Sequence, residues 1–467
     1  MSWQTIVKEN NLEVSIITAS KLEGAIRLDS DYYQVKYLKN KQFLGTKECK
    51  TILKLTDYVK KGIFDISPDK YLEEGVPLIR VKDIKGGSLD YSTMVFISEE
   101  DHAKEKKTEL NVGDIVFSKV GTVGEVAIID KKSNFSQNVL GIKINRKEIN
   151  PKYLLCFLLS PAGNYQIKRA EMISVQPKLE LTDIRELLVP VASSEFQDAV
   201  ANIVDASKEK KNKSSETYAE AEQMLLKEIN LEGYEGTGEA ISVRNFSEAL
   251  ADNRFDAEYW QPKYDEIEKK VSKVPQEKLG DIVSAKKGVE VGSEAYAEEG
   301  KDFIRVSDFT IYGVEDAEKK ISEELYEDLK ENYKPKKGEV LFTKDGTIGI
   351  SFALNEDVDA IVSGAFLRLK PKVKINNNYL ALVLNSFYCK AQIERMSGGA
   401  VIAHLKPESA MQIKIPMLSE QKQEELAGKV LEALRLRKEA KELLEKAKRA
   451  VEIFVEKDEK EAIKFLS

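Results

Sequence analysis

Several groups of polar residues stand out because each occurs twice, in the same company. Arg80 and Arg305 each follow an apolar, strand-like run. A guanidinium there can fork onto N7 and O6 of a guanine or clamp a phosphate, or it can close a surface or interstrand ion pair. Lys82 and Ser307 come two residues later. Lys60-Lys61-Gly62 and Lys286-Lys287-Gly288 read as basic turns, suited to phosphate positioning or simply to solvation. Gly121-Thr-Val-Gly124 and Gly346-Thr-Ile-Gly349 are glycine turns, each preceded at two residues by a lysine, Lys119 and Lys344. With Thr122 and Thr347 they could approach a sugar–phosphate backbone, although turn formation alone explains the glycines. Lys178 and Lys406 precede the final strand of each half, next to Gln176 and His404, which could hydrogen-bond base edges.

Other chemistries lack their residues. No Walker A sequence occurs, and strands are expected after both glycine turns, so no helix N-terminus is placed to cradle a phosphate. Neither the Asp/Asn-Pro-Pro-aromatic tetrapeptide of amino-methyltransferases nor a glycine-rich adenosylmethionine loop is present. Pro68-Asp69 with Glu105-x-Lys107 superficially fits a metal-nuclease pattern, but the second copy has no counterpart. His102 and His404 occupy different places in the two copies, and Cys49, Cys156 and Cys389 lie far apart. No metal site, no cofactor and no catalytic constellation are expected.

The chain has 467 residues, of which 42% are hydrophobic and 32% charged, enough for more than one packed core and too apolar for disorder. No run of 18 apolar residues exists and the N-terminus has no hydrophobic signal core, so a cytoplasmic protein with no membrane partner is expected. A net charge of −7 argues against nucleic acid only at first sight. Residues 1–190 carry 29 basic and 26 acidic side chains, which leaves 43 and 53 for the remainder. A basic groove in either half stays possible.

The organising feature is internal repetition. Arg27-Leu-Asp-Ser-Asp-Tyr-Tyr-Gln-Val-Lys-Tyr37 reappears as Arg254-Phe-Asp-Ala-Glu-Tyr-Trp-Gln-Pro-Lys-Tyr264, an offset of 227. Ile79-Arg-Val-Lys-Asp83 returns as Ile304-Arg-Val-Ser-Asp308, at 225. Gly113-Asp-Ile-Val-Phe-Ser-Lys-Val-Gly-Thr-Val-Gly124 returns as Gly338-Glu-Val-Leu-Phe-Thr-Lys-Asp-Gly-Thr-Ile-Gly349, also at 225. Leu187-Leu-Val-Pro190 matches Ile413-Lys-Ile-Pro416 at 226. Four blocks in one order are a tandem duplication, with a period too long for a solenoid.

Each copy opens with short strand-like runs, such as Pro77-Leu-Ile-Arg-Val-Lys, Asp114-Ile-Val-Phe-Ser and Glu125-Val-Ala-Ile-Ile. Tyr153-Leu-Leu-Cys-Phe-Leu-Leu and Tyr379-Leu-Ala-Leu-Val-Leu read as buried helices. A stretch nearly free of Gly and Pro follows, residues 195–229 in one copy and 420–466 in the other. Phe196, Val200, Ile203, Tyr218, Ala221 and Leu225 form an apolar stripe on the first. Val430, Leu434, Leu444, Ala447, Val451 and Phe454 do so on the second, and Ser194 and Ser419 stand at the N-cap positions. At 1.5 Å per residue these are rods of roughly 45–60 Å. Each can dock on its own globule or pair antiparallel with the other, and the length of the stripe favours pairing. Tyr32-Tyr33 and Tyr259-Trp260 are expected to pack a core or a junction rather than stack on bases.

The predicted fold is mixed α/β (α+β), with two similar globular domains joined by two long antiparallel helices in a pseudo-two-fold repeat. The expected domains are residues 1–192 and 231–417, with spacer helices at 193–230 and 418–467. Framework blocks match while the loops between them differ. Residues 85–108 are Gly- and Lys-rich, and residues 310–332 are acidic. Two such modules suit an extended, pseudo-symmetric ligand, and duplex DNA read in two half-sites has that form.

In these motifs and in their order, the chain resembles the specificity subunit of type I restriction–modification enzymes over essentially its whole length. The resemblance implies two target-recognition domains reading a bipartite, asymmetric DNA site, with an unspecified spacer set by the helices. It also implies two methyltransferase (M) subunits, which carry adenosylmethionine and methylate adenine, and restriction/translocase (R) subunits. The chain itself would then be a non-catalytic recognition subunit. A self-contained nuclease or methyltransferase, a protein-only scaffold, and the specificity part of a fused restriction–methylation enzyme remain the alternatives.

Overall fold

The computed structural model describes residues 13–23, 27–63, 66–91, 93–171, 178–236, 238, 241–315, 317–397 and 404–466. The chain divides into two compact units. Residues 1–209 with 440–467 form the first, and residues 210–439 form the second.

The framework blocks of unit 1 become strands β1 (Thr56–Lys61), β2 (Val76–Ile79), β3 (Val95–Ile97), β4 (Ile115–Ser118), β5 (Val126–Ile128), β6 (Asn134–Phe135) and β7 (Val139–Ile144). An antiparallel sheet of order β1-β7-β4-β5 faces a smaller sheet of order β3-β2-β6, in which β2 and β6 run parallel. All four residues of β4 are buried because the strand has a core on each side. Ile115 and Phe117 join Val59, Leu140 and Tyr153 in the main core. Val116, one step out of phase, meets Ile79, Phe135 and Val139 between the sheets. The helix that covers the sheet, α1 (Pro151–Leu159), is followed by α2 (Pro161–Ala170) and the short α3 (Leu181–Glu186).

Unit 2 repeats this plan. Its strands include β8 (Val283–Lys287), β9 (Tyr296–Ala297), β10 (Lys301–Ile304), β11 (Lys319–Ile321), β12 (Val340–Thr343), β13 (Ser351–Ala353), β14 (Ala360–Val362) and β15 (Phe366–Pro371). They form sheets of order β8-β15-β12-β13 and β9-β11-β10-β14. Further helices along the chain include α4 (Ser194–Glu228), α5 (Asn377–Asn385), α6 (Phe387–Ser397), α7 (Pro407–Ala410), α8 (Glu420–Glu456) and, in unit 1, α9 (Glu459–Leu466). The long helices α4 and α8 thus fall where the apolar stripes lie.

Both expected packing modes of these helices are present. In unit 1, Phe196, Val200 and Val204 share the head's core with Ala447, Val451 and Phe454, and Ser207 Oγ donates to the Ala440 carbonyl at 2.6 Å. In unit 2, Ser214 Oγ donates to the Ala433 carbonyl at 2.7 Å, and Lys422 pairs with Glu228 at 2.9 Å. Partner numbers fall along α8 as they rise along α4, so the pairing is antiparallel. A glutamine pins each helix to its own head. Gln197 Oε1 accepts from Asn150 N at 2.8 Å and Gln423 Oε1 from Asn376 N at 3.0 Å. The hydroxyls of Tyr153 and Tyr379 donate to the Pro190 and Pro416 carbonyls, both at 2.7 Å.

Three local expectations need correction. Ser419 caps α8 through Lys422 N, but α4 is capped one residue earlier than expected, by Ser193 Oγ on Phe196 N at 3.2 Å. The last helical stretch is not a single rod to residue 466. It breaks after Glu456, and Asp458 caps α9 through Glu461 N at 2.9 Å. The α9 helix is held at one end by Glu459 on Ser193 N at 3.0 Å and at the other by Lys446 Nζ on the Leu466 carbonyl. Lys60-Lys61-Gly62 and Lys286-Lys287-Gly288 are extended chain rather than turns. Gly62 and Gly288 are required because a Cβ there would lie 2.2 Å from the Phe135 carbonyl and 2.1 Å from the Ser363 carbonyl.

Candidate nucleic-acid interface

Strands β1 and β4 both run antiparallel to β7, so their C-terminal ends lie at the same end of the sheet. This brings Lys60 and Lys61 to the edge from which the glycine turn departs. The turn requires glycine at both ends, with φ of +79° at Gly121 and +95° at Gly124, and +69° at Gly346 and +87° at Gly349. It is closed from within by Ser118, or by Thr343 in unit 2. The hydroxyl of each donates to the carbonyl of Thr122 or Thr347 and accepts from Glu125 N or Ile350 N, both at 2.9 Å. Strands follow both turns, as expected.

The segment carrying the next candidates is stitched onto this turn. Lys178 bridges Val120, and Leu179 N donates to the Lys119 carbonyl at 3.1 Å. In unit 2, His404 bridges Asp345, and Leu405 N donates to the Lys344 carbonyl at 2.8 Å. The structural counterpart of Lys178 is therefore His404, and that of Glu180 is Lys406. Neither lysine leads directly into the last strand of its unit (Leu188–Pro190 and Lys414–Pro416), because α3 and α7 intervene, N-capped by Glu180 and Lys406. Gln176 lies outside the described residues.

In unit 1 the structure gathers Lys61, Lys119 and Lys178. Lys61 and Lys178 are exposed, while Lys119 is 8% exposed. Burial pushes the Lys119 ammonium toward neutrality, and the charges of Lys61 and Lys178 add to that effect. Lys178 is paired with Glu180 at 2.6 Å, and this contact first, then the fields of Lys61 and Lys119, hold the Glu180 carboxyl below the usual range. Lys60 turns aside, donating to the Lys107 carbonyl at 3.3 Å and lying 4.2 Å from the centre of the Tyr58 ring. In unit 2, Lys344 is 3% exposed and its ammonium contacts the Asp345 carboxylate, which also meets His404 Nδ1. Partial burial opposes ionisation of Asp345, but the hydrogen bonds from Lys344 and His404 prevail and lower its pKa. Lys286, Lys287, Lys406, Thr122 and Thr347 are exposed.

Arg80 and Arg305 stand where β2 and β10 end in a one-turn 3₁₀ helix, and in unit 2 the next residue, Val306, packs beside Gly346 of the glycine turn. Arg80 forks onto the fully buried Asp83 at 3.1 and 3.2 Å and reaches the Thr93 carbonyl. Arg305 forks onto Asp308 at 3.4 Å and takes Glu318 at 2.6 Å. Both guanidinium groups are thus committed to carboxylates, the ion-pair alternative. Lys82 is exposed, and Ser307 donates to Asp308 at 3.0 Å.

Residues 45–222 and 272–443 both match a family described as "Type I restriction modification DNA specificity domain". The chain belongs to this family. It is 28% identical over 142 residues to the type I restriction enzyme EcoBI specificity subunit of Escherichia coli, a match spanning 30% of each chain. The putative type I restriction enzyme MjaX specificity subunit of Methanocaldococcus jannaschii is 23% identical over 399 residues, 81% of this chain and 85% of that one. Among solved structures, the type I restriction–modification S subunit from M. genitalium is similar over 88% of this chain and 95% of its own, at 17% identity and a TM-score of 0.39.

Each matched specificity domain contains its own glycine turn, its basic edge and the start of a long helix. The segments carrying Tyr32 and Tyr259 lie outside both matches, and sequence reading missed how they are attached. Arg169 of α2 lies 4.2 Å from the Tyr32 ring centre, opposite Arg27 at 4.4 Å. Arg395 of α6 and Arg254 flank Tyr259, both at 4.5 Å. The pair Gln166-Ile-Lys-Arg169 and Gln392-Ile-Glu-Arg395, offset by 226, is the signal that could have found them. Among the described residues, no group of three or more His, Cys, Asp or Glu is arranged to hold a metal, and no helix is long and apolar enough to cross a membrane.

Proposed function

We propose that this chain is the DNA-reading subunit of a type I restriction–modification enzyme. Each specificity domain reads one part of a two-part, asymmetric site in duplex DNA. Two methyltransferase subunits and the restriction/translocase subunits dock on the chain and perform methylation and cleavage, while the chain itself is non-catalytic and acts in the cytoplasm. Lysines at the sheet edges set the register on the backbone, and the loops that differ between the units discriminate bases.

One observation carries this proposal. A single framework is built twice, down to the same glutamine, tyrosine and glycine-turn hydrogen bonds, while the residues on its exposed edge change from Val120, Lys178 and Glu180 to Asp345, His404 and Lys406. Fixed scaffolds with variable edges suit modules that read different short sequences. The test is single-molecule mapping of methylated adenines in the host genome with and without this gene. Loss of one bipartite motif is the expected result. An unchanged methylation map would overturn the proposal, and purified chain that alone methylates or cuts DNA would overturn its non-catalytic part.

A further inference from the structure

The two units answer the same electrostatic problem differently. At the exit of β4 and of β12 a lysine is buried to more than nine-tenths. In unit 2 the ammonium of Lys344 is satisfied by the Asp345 carboxylate. In unit 1 the corresponding position is Val120, and the Lys119 ammonium has no hydrogen-bond or ion-pair partner among the described residues. The stem of Lys119 is buried while its ammonium is unpaired among the described residues, and Lys61 and Lys178 raise the local potential, which the Glu180 carboxylate held by Lys178 only partly offsets. The turn beside it faces open space at Gly121, where an added Cβ would meet nothing within 4 Å. The second copy shows what chemistry completes such a site. It is an oxyanion at the position of the Asp345 carboxylate.

We propose that Lys119, flanked by Lys61 and Lys178, binds a phosphodiester oxygen of duplex DNA, and that unit 2 lacks this contact because Asp345 fills the equivalent place. The inference rests on the DNA-reading function proposed above. One unit then anchors to the backbone through a contact independent of base sequence, and the other relies more on its remaining edge residues. Val120→Asp would give unit 1 its own internal anion, and Asp345→Val would release the lysine of unit 2.

The experiment measures duplex binding by the full chain, assembled with its methyltransferase partners, over a range of salt. One lost phosphate contact lowers the slope of log K against log salt by about 0.9. Lys119→Met and Val120→Asp should each lower the slope by that amount, weaken every duplex alike by roughly five- to tenfold, and not add when combined. Asp345→Val should raise the slope by a similar amount. Circular dichroism melting of each variant separates lost binding from lost folding, and Lys61→Gln, at an exposed position, gives a smaller loss in the same direction. Unchanged slopes in Lys119→Met and Val120→Asp, in a wild-type assembly that binds duplex, would overturn this inference alone. A wild-type assembly with no salt-dependent duplex binding would overturn the proposed function as well. Inorganic phosphate at matched ionic strength is the remaining arm. If it protects unit 1 from hydrogen exchange through Lys119 while the duplex slopes stay unchanged, the site takes free oxyanions and the duplex assignment is wrong.

Discussion

Unit 1 leaves two buried charges single where unit 2 pairs them. Asp114 in unit 1 is 2% exposed and, among the described residues, hydrogen-bonded by backbone amides, Asn111 N at 2.8 Å and Ile144 N at 3.1 Å, while Arg146 and Lys143 act on it only through their fields. Its counterpart Glu339 is gripped by the buried Arg368 at 2.9 and 3.0 Å, where the matching strand position of unit 1 is Gly141. The same contrast separates Lys119 from Lys344. One backbone plan therefore tolerates two electrostatic solutions. A unit that satisfies its own charges gains independence from a ligand, and a unit that does not keeps a site poised for one.

The contrast can be broken most forcefully in unit 2. Arg368→Met strands a buried carboxylate and should cost about 3–5 kcal/mol, seen as loss of hydrogen-exchange protection confined to residues 210–439. Asp114→Asn, which leaves one acceptor where two backbone amides donate, should cost about 1–3 kcal/mol in unit 1 by denaturant unfolding. Tyr153→Phe and Tyr379→Phe remove matching hydrogen bonds, so each should cost about 1 kcal/mol and the two costs should agree. A clear difference between them would show that the two framework cores are less equivalent than their geometry.

The smallest effects are pH dependences of opposite sign. Burial raises the Asp114 pKa, outweighing its amide hydrogen bonds, so its ionised form is disfavoured in the folded chain. Its penalty is absent below the ordinary aspartate pKa and develops as pH rises through the raised one. Asp345 is shifted downward. Its contribution is present above the ordinary pKa and is lost as pH falls through the lowered one. Melting temperatures between pH 3 and 6, for wild type against Asp114→Asn and against Asp345→Asn, should therefore diverge in opposite directions.

Much of this was legible in the chain because the duplication supplies its own control. Repeated blocks located the strands, the glycine turns and both buried helices. What stayed illegible depends on contacts between distant segments. A glycine after two lysines looks like a turn, yet Gly62 exists to let a neighbouring backbone approach. Two serines in succession, Ser193 and Ser194, stand at the start of α4, and only the packing selects Ser193 as the cap. Lys457 and Asp458 carry no Gly or Pro signal for the break after α8. The equivalence of Lys178 with His404 required the backbone bridges, because no sequence block spans that segment. The acidic residues 310–332 also hold much of an eleven-residue helix, Glu323–Tyr333, which the composition reading did not place.

Selection from a randomised duplex pool, by the full chain assembled with its methyltransferase partners, probes the heart of this account. Wild type should recover two short motifs at one fixed separation. Exchanging residues 85–108 for those of a relative should rewrite one motif and leave the other and the separation untouched. Recovery of a single continuous motif, or a change in both motifs from that one exchange, would contradict the assignment of one reading module to each unit.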